Sequence, residues 1–197
     1  MSGSLSQTAP PVMTIGHSTR TLEFFTRMLK AHEVTLVVDI RTVPRSKHNP
    51  QFNKETLSDE LKAAGIKYIH MPGLGGLRHP LPDSQNTGWK NNSFRGFADY
   101  MQTEEFEDNL KTLINLAGQG RIALMCAEAV PWRCHRSLIA DALVIRDIKV
   151  EHIMSLSRTQ PHKLTPFASV KDLHIMYPPG NSEPVESPAY TLLSHPY

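Results

Sequence analysis

The chain has 197 residues, 40% of them apolar and 20% charged, with a net charge of +2. That suffices for one globular domain; it is too apolar for a disordered polyelectrolyte and too near neutrality for bulk charge alone to require a nucleic acid or a membrane. The longest apolar run, Ile122 to Ala127, spans six residues where a membrane span needs about 20, and residues 1–11 lack the pattern of a secretory signal, so a cytoplasmic protein without a membrane partner is expected.

Residues 1–11, rich in Ser, Gly, Pro and Thr, read as a flexible segment. Val12 to Gly16 reads as a short strand. Leu22, Phe25, Met28 and Leu29 share one face of a helix starting near Thr21. The stretch 35–39 is β-branched and apolar, as in a buried strand. A polar loop follows, carrying Pro44, Pro50 and the basic residues Arg41, Arg45, Lys47, His48 and Lys54. Asn53 is placed to cap a helix that Gly65 ends, and residues 66–70 form a third strand.

Residues 71–93 hold Gly73, Gly75, Gly76 and Gly88 with Pro72, Pro80 and Pro82, a long connection of the kind that is functional or mobile. A short helix is expected over 94–101. Thr103 caps a longer one, with Glu104, Glu105 and Glu107 complementing the dipole of its first turn and Phe106, Leu110, Leu113 and Ala117 facing inward up to Gly118. Residues 121–126 form a fourth strand. A loop through Pro131 leads to a helix over 135–146, with Leu138, Ile139, Ala142 and Leu143 inward, and 150–154 form a fifth strand.

Strands alternating with helices predict an α/β fold: a single domain over 12–154 with a mostly parallel five-stranded sheet flanked by helices. Residues 155–197 hold 7 of the 15 prolines and read as an arm partly packed on that domain, with the last fifteen residues loose.

Sites in parallel α/β sheets form at the carboxyl ends of strands. Here those ends carry Gly16-His17-Ser18, then Asp39-Ile40-Arg41 with Arg45 beyond, then His70, then Cys126-Ala127-Glu128. The two cysteines, Cys126 and Cys134, are too few for a disulfide scaffold, which leaves buried filler, metal ligand or chemistry. Both lie on one turn, Cys126 to Ser137, running from a strand end to a helix start, where unsatisfied N–H groups favour anions and lower a thiol pKa.

On this reading Cys126 or Cys134 is a nucleophile or sulfur carrier, Glu128 and His135 handle protons, and His17, Asp39, Arg41, Arg45, Arg133 and Arg136 bind a small anionic substrate. Plainer roles stand beside these. Free cysteines are commonly core filler. Asp39 can simply pair with Arg41, and His17 can cap a helix or bond to backbone. Trp132 can be packing, and the basic loop a solvated face.

Two other functions use the same residues. Nucleic-acid binding or modification would place the loop 41–54 on phosphates and stack Trp132, Phe94 or Tyr100 on a base. Metal binding would take zinc or iron through Cys126, Cys134 and His135, with Glu128, Asp39 or His17 as a fourth ligand. The spacing does not match the close Cys pairs of structural zinc sites, so no cofactor is expected.

Thr14-Ile15-Gly16-His17-Ser18, Val38-Asp39-Ile40-Arg41, Pro72-Gly73-Leu74-Gly75-Gly76, and Cys126-Ala127-Glu128 followed by Cys134-His135-Arg136, in this order, resemble the family called domain of unknown function 488 over about residues 12–168. The resemblance implies a cytoplasmic prokaryotic protein and no settled activity; some members carry loose labels of DNA repair. A weaker similarity is to rhodanese-like domains, which have Asp-x-Arg after the second strand and a strand-end cysteine followed by an anion-cradling loop and Arg-Ser at a helix start. That similarity implies a three-layer architecture, Cys126 as persulfide carrier, and Asp39 and Arg41 as supports. The loop here is longer than in those domains and contains a second cysteine, a proline and a tryptophan.

Overall fold

The computed structural model describes residues 10–179. Five parallel strands form the body of the sheet: β1 (Val12–Gly16), β2 (Leu36–Asp39), β3 (Lys67–His70), β4 (Ile122–Cys126) and β5 (Val150–Ile153). A sixth, β6 (Thr159–Pro161), pairs antiparallel with β5, giving the order β3-β2-β4-β1-β5-β6. The sheet is mostly parallel as expected, but with six strands rather than five. β6 is three residues long and contains Pro161, so it carries no alternating pattern and is tolerated only at an edge.

The strands alternate their side chains between two cores, as the pleat requires. Met13, Ile15, Val37, Ala123 and Met125 face α1 (Leu22–Ala31) and α2 (Lys54–Ala63). Val12, Leu36, Val38, Leu124 and Cys126 face α3 (Asn92–Tyr100), α4 (Glu104–Ala117) and α5 (Arg136–Val144). The domain therefore has three layers, helix on sheet on helix. No helix among the described residues is long and apolar enough to cross a membrane.

Local chemistry sets the helix starts. Thr21 accepts from the Phe24 N–H and Thr103 from the Phe106 N–H. Asn91 accepts from the Ser93 and Phe94 N–H groups, so α3 begins two residues before Phe94. Asn53 occupies the expected cap position, but its Oδ1 accepts from the Ser46 N–H instead and ties the basic loop to α2. Gly65, at φ 78, ends that helical segment in the left-handed region glycine favours. α5 is shorter than its apolar pattern suggested, because Arg146 and Asp147 lie in the turn that follows it.

Residues 155–179 fold back on the domain through one buried carboxylate. Asp141, on α5, accepts from His162 Nε2 at 2.8 Å, from the Thr165 N–H at 3.0 Å and Oγ1 at 2.7 Å, and from the Tyr177 hydroxyl at 2.8 Å. A relay continues inward: His152 Nε2 lies 3.1 Å from His162 Nδ1, and His152 Nδ1 lies 2.7 Å from the Thr14 hydroxyl. With His162 donating to Asp141, the neutral chain is satisfied throughout: His152 Nε2–H donates to His162 and Thr14 O–H donates to His152. Burial, with His162 and Arg136 adding to it, brings His152 down to about 3. The arm ends in a two-stranded hairpin, β7 (Ser169–Lys171) and β8 (His174–Met176), that seats Ile175 and Tyr177 in the α5-side core. Residues 1–9 of the flexible segment expected over 1–11, and the loose segment expected over 183–197, lie outside the described residues.

Asp141→Asn removes the acceptor charge beneath four donors and is expected to destabilise the fold by about 3 kcal/mol, as for breaking a buried hydrogen-bonded pair. Urea unfolding monitored by tryptophan fluorescence measures this; a midpoint unchanged from wild type would show that the arm does not depend on Asp141.

Candidate functional site

The carboxyl ends of β1, β2 and β4 meet at a cleft of about 620 Å³. The parallel register carries on past the strand ends, where the His17 N–H donates to the Cys126 carbonyl and the Ser18 N–H to that of Ala127. This holds Gly16-His17-Ser18 against the cysteine loop. Gly16 is required there, since a Cβ at that position would overlap the Glu128 carbonyl, and a Cβ on Gly76 would overlap the His135 ring. Close packing explains these glycines in the Gly16-His17-Ser18 and Gly75-Gly76 motifs. Ser18 sits at φ 52, a strained backbone for a non-glycine residue, and its carbonyl accepts from His17 Nδ1 at 2.8 Å.

Of the ten residues singled out from sequence, His17, Arg41, Arg45, Cys126, Glu128, Arg133, Cys134 and His135 line the cleft. Asp39 and Arg136 do not; both are buried behind it. Asp39 takes Arg41 bidentately, Nε at 2.9 Å and Nη2 at 2.6 Å, and accepts from the Tyr68 hydroxyl at 2.7 Å. Arg41 Nη2 also donates to the Phe52 carbonyl, and Nη1 lies 3.3 Å from His17 Nε2. Asp39 therefore serves Arg41, and most of the Arg41 donors are spent within the protein.

His17 stacks on Phe52 with centroids 4.3 Å apart. Its Nδ1–H donates to Ser18 and its Nε2 accepts from Arg41, an arrangement only the neutral ring can make. Burial, with Arg41 facing it, brings its pKa down to about 4. His17 thus meets the cleft uncharged at neutral pH, not as the cation an anion site would use.

The centre of the site is the thiol pair. Cys126 Sγ and Cys134 Sγ lie 2.7 Å apart, both nearly fully buried. Arg136 Nη1 donates to Cys126 Sγ at 2.6 Å and to the Glu128 carbonyl at 2.6 Å, and Nη2 donates to the Ala129 carbonyl at 2.9 Å. Arg136 is 1% exposed, and among the described residues it makes no ion pair with a carboxylate. The loop turns carbonyls toward Arg136, and no loop N–H among the described hydrogen bonds reaches Cys126 Sγ. That differs from a cradle of N–H groups around a single sulfur.

The two thiols titrate as a unit. Burial pushes Cys126 up, with the neighbouring Cys134 adding to it. Cys134 goes well below the ordinary thiol range against the effect of its own burial, through its contact with Cys126, the His135 ring with Nδ1 at 3.5 Å, and Arg136.

The remaining residues separate clearly. Glu128 does not orient His135; its side chain only reaches the Val130 N–H, at 3.4 Å. His135 Nε2 is buried without a partner. Arg45 is exposed and pairs loosely with Glu55 at 3.5 Å, and Arg133 is exposed at the rim. Phe94 lines the cleft, but Tyr100 lies elsewhere, under Arg78 with its hydroxyl on the Gly73 carbonyl. Lys47, His48 and Lys54 are not among the lining residues, and His70 Nε2–H donates to the Arg41 backbone carbonyl at 2.8 Å. Sequence reasoning passed over Phe52, Tyr68, Val43 and Leu77. The first two buttress Asp39, Arg41 and His17, and the last two form an apolar wall.

No three or more His, Cys, Asp or Glu side chains among the described residues are grouped to hold a metal ion. The guanidinium on Cys126 Sγ also opposes a second cation there.

The family model described as domain of unknown function DUF488 matches residues 21–143. The chain belongs to that family. The matched span holds both thiols, Asp39, Arg41 and the Gly75-Gly76 segment; it stops short of Gly16-His17-Ser18 and of the arm. No curated protein and no solved structure matches the chain.

His17 in this DUF488 domain gives a signed pH dependence. Its folded pKa, about 4, lies below the unfolded value of about 6.5. The unfolded chain therefore binds a proton first as pH falls. The stabilisation is complete above about 6.5 and erodes toward pH 4, by on the order of 1 kcal/mol per pH unit. His152 adds to the same slope. In His17→Gln the fall of Tm between those pH values should be shallower than in wild type; an equal slope would show that His17 is not held neutral.

Proposed function

We propose that the protein is a thiol-dependent enzyme that acts on a small anionic substrate, with Cys126 and Cys134 working as a pair. The observation that carries this reading is Arg136: a buried guanidinium set on Cys126 Sγ with no carboxylate partner among the described residues. An arginine cannot shed its charge, and an uncompensated buried cation costs several kcal/mol. A thiolate shared by the two sulfurs supplies the missing negative charge. A shared thiolate at a cleft wall is a nucleophile at neutral pH.

Each remaining group has a place in this reading. The Asp39–Arg41–Tyr68 cluster fixes the floor. His135 faces Cys134 and exchanges protons with it. Arg45 and Arg133 draw an anion to the rim. The compartment it requires is a reducing one, such as the cytoplasm, where the pair stays as thiols.

Alkylation by iodoacetamide across pH 5–9 tests the reading. One thiol should react with an apparent pKa below the free-cysteine value of about 8.5. In Arg136→Gln that pKa should rise by a unit or more, slowing the reaction at pH 7 about tenfold. Wild-type thiols that react no faster than a cysteine peptide at pH 7 would end this proposal, whether or not the variant folds.

A second reading rests on Trp132, which is 59% exposed at the loop tip beside Arg133. An exposed indole next to an arginine is the arrangement that stacks a nucleobase. Binding of a fluorescent single-stranded oligonucleotide should then weaken with salt and drop about tenfold in Trp132→Ala. Affinity indifferent to both would remove this reading.

A further inference from the structure

Resting on the thiol-pair reading, we infer that the cleft takes an organic disulfide that carries an anionic group, and that the pair reduces it by closing into a Cys126–Cys134 disulfide. Three observations lead there.

The first is the second sulfur. Cys134 Sγ lies 2.7 Å from Cys126 Sγ, in direct contact, so a disulfide between them needs only a small approach of the two sulfurs. A persulfide carried on either cysteine would be attacked by the other, forming the Cys126–Cys134 bond and expelling hydrosulfide. The arrangement therefore discharges a sulfur adduct rather than storing it. A mixed disulfide meets the same fate, which makes the pair a two-electron reductant.

The second is the size and character of the cleft. At about 620 Å³ it is in the range that holds an organic ligand, far larger than an inorganic sulfur oxyanion needs. Val43, Leu77 and Phe94 form one wall, with Val43 58% and Leu77 71% exposed. Large apolar side chains left open beside reactive sulfurs suit the carbon skeleton of a substrate.

The third is charge. Arg133 lines the cleft, is exposed, and has no ion pair among the described residues, and Arg45 is held only by an exposed contact to Glu55. Arg41 and Arg136, by contrast, are committed within the protein. The free cations therefore lie at the solvent-exposed rim, where the anionic end of an organic molecule would sit.

The chemistry balances in two steps. The thiolate attacks one sulfur of the substrate R–S–S–R, forming a protein mixed disulfide and releasing R–S⁻. The second cysteine gives up its proton, to the released R–S⁻ or to water, and attacks the protein sulfur of that mixed disulfide. The Cys126–Cys134 bond forms and a second R–S⁻ leaves. The substrate disulfide is reduced to two thiols and the cysteine pair is oxidised, with no other reagent in a single turnover.

The test uses the reduced full chain without added reductant. The probes are dithiobis(nitrobenzoate), an apolar disulfide with carboxylates, and the uncharged bis(hydroxyethyl) disulfide. Each rate is divided by the rate of a cysteine peptide with the same probe. The normalised rate should be about tenfold higher for the anionic probe, the scale of steering by a charged cleft. The product should be two released thiols per chain and a protein two hydrogens lighter by mass, with no adduct. Arg45→Glu with Arg133→Glu should collapse the ratio between the probes.

Fast thiols with equal normalised rates, or a mixed disulfide that persists in the wild type, would overturn this inference and leave the thiol-pair reading standing. So would an extra sulfur retained on the protein after thiosulfate. Slow reaction with both probes and with iodoacetamide would instead overturn the thiol-pair reading itself.

Discussion

A guanidinium buried at the end of a sheet must be answered by something, and Arg136 is answered by sulfur and by backbone carbonyls. The loop between β4 and α5 is built around that need. Glu128 and Ala129 turn their carbonyls inward to accept from Arg136, and Gly16 has no side chain so that the Glu128 carbonyl can approach β1. The one-turn helix at Pro131–Arg133 then returns the chain so that Cys134 reaches Cys126. Both sulfurs, the loop path and the glycine at the end of β1 depend on where one charged side chain is placed.

The sequence showed the framework of the fold plainly. Buried parallel strands are apolar on both faces, and β1, β2 and β4 read that way because both faces are covered by helices. Once those strands are parallel, their polar ends must share an edge, and eight of the ten chosen residues do line the cleft there. β6 was hidden because an edge strand ending in proline has no pattern to detect. The cap role given to Asn53 failed for a different reason. Its side-chain carbonyl accepts from the Ser46 N–H in the loop and makes no cap bond to α2.

The directions of side chains were much less legible. Arg133, Arg136, Arg41 and Arg45 are alike as letters, yet two point to solvent at the rim and two are buried. Position in the turn decides it. Arg136 opens α5 and lies beneath the loop, while Arg133, three residues earlier, is exposed at the end of the short helix. Likewise, nothing in Val38-Asp39-Ile40-Arg41 shows that Asp39 and Arg41 close on each other. Phe52 and Tyr68, which complete that cluster, come from segments read as loop and as core strand.

The contrast between the two buried arginines separates support from chemistry. Arg41 has a carboxylate partner, a neutral histidine and a backbone carbonyl, so its charge is balanced within the fold and cannot be borrowed. Arg136 has carbonyl dipoles and a thiol pair, so on the proposed thiol-pair reading its charge is balanced only when that pair ionises. A reaction that neutralises the thiolate, by alkylation or by closing a disulfide, leaves Arg136 without a counterion and raises the energy of the product state. Oxidation of the pair is thereby less favourable than without Arg136, so the pair gives its electrons only to a disulfide of still higher potential and is readily returned to the dithiol. The same side chain that makes the pair reactive also makes its oxidised form one that the protein resists keeping.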